Sequence, residues 1–110
     1  MIFKLKEKCL ESSKKEFFYG NIVNKDIVDV YLGLGYLDAG ETRAFCPGKG
    51  HEEIIYLMNG QIEIVIEGQE FKFKEGEAVH LSGTTEIKMI NNSDDRIFFI
   101  TAGGHTEPHH

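Results

Sequence analysis

The sequence predicts an all-β fold closed as a double-sheet jelly roll. Apolar residues alternate with a period of two over much of the chain. Turn signals recur at Asn59-Gly60, Glu67-Gly68, Glu75-Gly76 and Ser82-Gly83, a spacing suited to successive short strands. A helical period is nearly missing. Twelve glycines against two prolines in 110 residues strengthen the reading, and this length suits one core. Residues 1–110 are therefore expected as one domain.

The elements follow in order. Residues 1–25 form an N-terminal strand region, in which only Leu5–Phe17 holds the makings of a helical turn. From Asp26 to Tyr36, Val28, Val30, Leu32, Leu34 and Tyr36 alternate with smaller or polar residues, as in a strand. Glu53–Met58 is an almost continuous apolar run, which predicts a strand covered on both faces. Asn59-Gly60 reads as a two-residue hairpin turn into QIEIVIE, where Ile62, Ile64 and Ile66 share a face. Glu70–Lys74 alternates again and is expected to bury Phe71 and Phe73. Strands near Ala78–Leu81, Glu86–Asn91 and Arg96–Thr101 complete about eight. With so many consecutive hairpins, a jelly roll is the natural closure.

Charge narrows the partners. Eighteen acidic against twelve basic residues give a net charge of −6, which repels phosphate backbones and anionic lipid. Neither nucleic acid nor a membrane surface is expected as a partner. No apolar run approaches the roughly 20 residues needed to span a bilayer. The stretch MIFKLKEKCLESSKKE is too charged for a secretory signal. Two cysteines, Cys9 and Cys46, make no disulfide framework, so a cytoplasmic location is expected.

The segment GETRAFCPGKGHEEIIYLMNGQIEI, followed by EGEAVHLSGTTEIKMINN, resembles the two motifs of a small single-domain cupin. Glu53 and Gly60 stand with six residues between them in the first motif, while Gly76 opens the second and Asn91 closes it. The resemblance covers about residues 30–102 as a barrel core, leaving 103–110 as a histidine-containing tail. It implies a jelly-roll barrel with a pocket, pairing into homodimers, and an activity that the fold does not specify, since cupins include isomerases, epimerases, dioxygenases and decarboxylases. It also implies a metal held by three histidines and a glutamate. Here the departures fall on those ligands. The His-x-His positions fall on Pro47 and Lys49, or with a one-residue shift on Cys46 and Gly48, and Ile87 replaces the second-motif histidine. Only Glu53 remains in register.

Two classes of function stay open. One is a small-molecule-binding module without the usual metal set, its pocket centred on Glu53 and His51 and lined by Lys49, Tyr56 and Cys46. The other is an enzyme. It would use a site rebuilt from His51, Glu53, His80 or His105 around zinc, nickel or iron, or Glu53 with Lys49 or His51 as acid and base. His109 and His110 belong either to the native chain or to a tag. Adjacent strand residues face opposite ways, so Glu53, and not Glu52, is the inward carboxylate. The apolar stretches Met1-Ile2-Phe3 and Phe17-Phe18-Tyr19 suggest a two-fold homodimer interface.

Overall fold

The computed structural model describes residues 2–106. Met1 and residues 107–110, including His109 and His110, lie outside the described residues. One short helix, α1 (Leu5–Glu11), precedes nine strands: β1 (Glu16–Tyr19), β2 (Tyr31–Leu37), β3 (Thr42–Phe45), β4 (His51–Leu57), β5 (Gln61–Ile66), β6 (Gln69–Lys74), β7 (Ala78–Ser82), β8 (Ile87–Ile90) and β9 (Ile97–His105). They form two antiparallel sheets, a five-stranded one in the order β1-β2-β9-β4-β7 and a four-stranded one in the order β3-β8-β5-β6. This is the expected jelly roll.

Between the sheets lies a core of Leu37, Ile55, Leu57, Ile62, Ile64, Phe73, Leu81, Ile87, Met89, Ile97 and Phe99. A second, smaller cluster sits on the outer face of the five-stranded sheet. There α1 lays Leu5 and the buried Cys9 against Leu34, Tyr36, Phe17, Phe98 and Ile100. Apolar residues on both faces of β2 and β9 are thus accounted for, because each face has its own cover.

Four sequence expectations need correction. The strand expected from Asp26 begins only at Tyr31, and Val28 and Val30 stand 78% and 70% exposed ahead of it. The alternating apolar set Leu34 and Tyr36 faces α1, while Tyr31, Gly33, Gly35 and Leu37 take the barrel side. β4 is covered on one face only: Glu53, Ile55 and Leu57 are buried, whereas Ile54, Tyr56 and Met58 are exposed. Phe73 is buried but Phe71 is not. Finally, Asn59-Gly60 makes no hairpin. β4 and β5 belong to different sheets, so the turn carries the chain across the sandwich, with only Gly60 at positive φ. The Asn59 side chain holds this corner by donating to the Arg96 carbonyl and accepting from the Phe98 N–H.

Candidate functional site

The functional geometry is set by the middle of the five-stranded sheet, where β2, β9 and β4 lie side by side. Tyr31 on β2 and Glu53 on β4 are both registered opposite Gly103 on β9. Directly opposed residues share a face, so the two side chains project on the barrel side with no side chain between them. A Cβ at Gly103 would come within 2.4 Å of the Tyr31 ring and hydroxyl. The missing side chain therefore makes room for Tyr31 to cross β9, and its hydroxyl donates to Glu53 Oε2 at 2.5 Å.

Glu53 is only 7% exposed. Withdrawing a carboxylate from water costs several kcal/mol or so unless donors replace the lost hydration. Tyr31 is the hydrogen-bond partner of this carboxylate among the described residues. No buried side-chain oxygen in that part of the molecule lacks a partner, so Oε1 is left open to the cavity space around it. Burial pushes the Tyr31 hydroxyl well above the usual phenol range, and the adjoining Glu53 adds to the shift. Tyr31 accordingly stays a donor at any physiological pH.

Two cavities flank this pair, with Glu53 and Phe18 in the wall of both. The smaller, about 260 Å³, runs into the barrel beside Gly33, Gly35, Cys46, Phe99 and Thr101. A Cβ at Gly33 or Gly35 would run into the Phe18 or Phe99 ring, so the two glycines let these rings lie against β2 as cavity wall. The larger, about 460 Å³, opens at the mouth between β4 and the 20–31 segment, past Asp29, Val30, Tyr31, His51 and His105. His51 and His105 are registered opposite one another on β4 and β9, their ring centroids 4.5 Å apart. His105 is held by Asp29, whose carboxylate accepts from both the His105 backbone N–H and ring Nδ1. His51 Nδ1 donates to the Lys49 carbonyl at 3.2 Å. A carbonyl only accepts, so Nδ1 carries the proton and Nε2 keeps the lone pair in the neutral ring.

The structure brings together Glu53, His51 and His105 around the larger cavity, and Glu53 and Cys46 around the smaller. It does not bring in the other three candidates. His80 is registered opposite Ile54 on the outer face and its Nε2 lies 2.9 Å from Glu52 Oε1. Tyr56 shares that outer face, because it alternates with Glu53 along β4. Lys49 is exposed on the Gly48–Gly50 loop, and only its carbonyl enters the network. Sequence reasoning passed over Tyr31, Asp29 and Phe18. The signal available for Tyr31 was Gly103 within a strand, a residue that marks close approach of a neighbour.

A cupin metal set does not fit these residues. Pro47 and Lys49, or in the shifted register Cys46 and Gly48, stand where the first two imidazoles would be needed, Ile87 stands for the third, and Glu53 is bonded to Tyr31. Among the described residues no group of three or more His, Cys, Asp or Glu is placed to hold a metal ion.

Two closed-over antiparallel sheets with a polar cluster at one mouth define a jelly-roll barrel of the cupin type. The cupin domain family model matches residues 37–103, and the chain belongs to the cupin family. Its fold is similar to that of a cupin protein from Bacteroides fragilis, at 16% identity over 90% of this chain and 83% of that one, with a TM-score of 0.72. It is also similar to the Cupin_2 domain of an XRE family transcriptional regulator from Enterobacter cloacae, at 15% identity over 84% and 99%, TM-score 0.69. A third likeness is to a sugar phosphate isomerase of the cupin superfamily from Silicibacter pomeroyi, at 14% identity over 84% and 60%, TM-score 0.64. At such identities the likeness speaks for the fold alone. The chain spans less than two thirds of the length of several solved structures that it matches. No curated protein matches the chain.

Proposed function

We propose that this cupin binds a small molecule in a pocket centred on Glu53 and His51, with Tyr31 as the residue that poises Glu53. The observation that carries the reading is a carboxylate only 7% exposed, satisfied on one oxygen by Tyr31 and open on the other toward cavity space. An acceptor that faces the cavity space without a protein partner gives a ligand donor a place to bind, a hydrogen bond to a charged group contributing about 1.5–3 kcal/mol. A cavity of about 460 Å³ lies in the size range of metabolite sites, roughly 300–1,000 Å³. Thermal-shift screening of a metabolite panel tests the proposal, since any ligand of the native state raises its apparent stability.

The cupins of similar fold include one described as an isomerase and one attached to a transcriptional regulator, so the pocket suits either a catalyst or a sensor. A metal-dependent isomerase, dioxygenase or decarboxylase is the second reading, supported by His51, Glu53 and His105 sharing one cavity. It is weaker, as His80 lies across the sheet. Metal analysis of the purified protein separates the two: one tightly held zinc, nickel or iron per chain favours the enzyme.

We also propose a homodimer, but through a different surface from the N-terminal aromatics. Phe3 stacks on Tyr19 and Phe17, and Phe17 packs under α1, so these three rings are occupied within the chain, while Ile2 and Phe18 of the same stretches stay exposed. The outer face of β4 offers Ile54, Tyr56 and Met58 at 51%, 43% and 46% exposure, extended by Leu32 on β2. The unpaired thiols of Cys9 and Cys46 agree with a cytoplasmic setting, which belongs to the same proposal. No helix among the described residues is long and apolar enough to cross a membrane.

A further inference from the structure

We propose that the ligand of this pocket is a small organic cation, a primary or secondary ammonium group carried on an apolar body; this rests on the pocket reading above. Beside the Asn21 amide, the polar side chains nearest Glu53 on the floor of the larger cavity offer acceptors. Glu53 offers Oε1, and His51 offers Nε2 because its Nδ1 proton goes to the Lys49 carbonyl. The Tyr31 hydroxyl, the natural donor at this place, is spent on Glu53. Asp29 adds a second carboxylate to the same wall, and no lysine or arginine is among the described lining residues.

That floor discriminates by charge. An anionic ligand meets the Glu53 carboxylate, with no lysine or arginine among the described lining residues to offset it. A neutral alcohol brings one donor and no charge to offset that of Glu53. An ammonium group brings two or three donors and the opposite charge, and the Tyr31 and Phe18 rings beside it, 5.9 Å apart, attract a cation further. The walls specify the rest of the molecule. Ile22, Val28 and Val30 line the cavity yet stand 89%, 78% and 70% exposed, apolar surface at a mouth that an apolar body would cover.

The test is calorimetric titration of the full chain at about pH 8, where alkyl amines remain charged. The probes are hexylamine, 1-hexanol and hexanoate, which share a chain and differ in charge. Hexylamine is expected to bind at least about tenfold more tightly than hexanol, with hexanoate weakest. In Glu53→Gln the amine should fall to within about threefold of the alcohol. Should that variant fail to fold, amide and side-chain shifts of the wild-type protein with hexylamine must centre on Tyr31, His51 and Glu53. Equal or tighter binding of hexanol or hexanoate, abolished by Glu53→Gln, overturns the cation and leaves the pocket standing. Binding of none of the three, or shifts centred elsewhere, also overturns the cation. Failure of the pocket itself would appear separately, as panel ligands indifferent to Glu53→Gln.

Discussion

Tyr31, Gly103 and Glu53 form a three-residue row across the sheet, and each depends on the others. Gly103 leaves the gap, Tyr31 fills it, and Glu53 gains a donor where water is scarce. The Tyr31 hydroxyl is raised above its ordinary value of about 10, so the protonated form is the one the fold favours. Its stabilising effect is complete below that pH and is lost as pH rises through the folded value. An alkaline absorbance titration should show one of the four tyrosines ionising last, or only with unfolding, and Tyr31→Phe should remove that late step. Four tyrosines titrating together near pH 10 would contradict the pairing. Gly103→Ala probes the gap itself. The new methyl meets the far end of the Tyr31 side chain, which can swing away only by leaving Glu53. A loss of about 1–3 kcal/mol in urea unfolding is expected, together with disappearance of the late tyrosine. Retention of both stability and the late step would show that Tyr31 does not need the gap.

At the scale of elements, the end of β8 is held by a single buried amide. Asn91 is fully buried; its Nδ2 donates to the Leu37 and Asp95 carbonyls, and its Oδ1 accepts from the Ser93 N–H and hydroxyl. It joins β2 to the turn before β9. Asn91→Ala strands at least the buried Leu37 carbonyl and should cost roughly 2 kcal/mol or more by chemical denaturation; a loss below about 0.5 kcal/mol would mean the turn repairs itself. The motif register that places Asn91 at this junction also places Glu53 on the inner face, and both were legible because one residue type at one strand position was required. β5 was legible for a related reason. Ile62 and Ile64 face a core while Gln61 faces solvent, so period and burial coincide. β4 was misread since its outer residues are apolar without being covered, and composition alone does not tell an exposed apolar face from a buried one. The N-terminal half of the site was not legible. Asp29 and Tyr31 come from a stretch that alternates smoothly in sequence, although the strand begins only at Tyr31 and the residues before it turn outward to form the pocket wall.

For the molecule as a whole, one sheet does two jobs on two faces. Its barrel side carries the row that ends in Glu53. Its outer side is divided between the part that α1 covers and the strip of Leu32, Ile54, Tyr56 and Met58, which stays exposed among the described residues. The proposed two-fold pairing of this strip would give the apolar outer face of β4 its cover. Light scattering at micromolar concentration should give twice the chain mass, and Ile54→Lys with Tyr56→Lys should reduce it to the monomer with the fold intact by circular dichroism; a monomeric wild-type chain would refute the pairing. Because Ile54 and Glu53 face opposite ways, the double variant is expected to leave pocket affinity unchanged unless the dimer shapes the mouth. The central claim, that Glu53 is the polar centre of a ligand pocket, is tested most directly by thermal-shift and calorimetric comparison of wild type and Glu53→Gln against one metabolite panel. The account predicts at least one ligand that stabilises the wild type and binds Glu53→Gln at least about tenfold more weakly, or about 1.4 kcal/mol. Ligands that bind both proteins equally would contradict it, and would make Glu53 a feature of the fold alone.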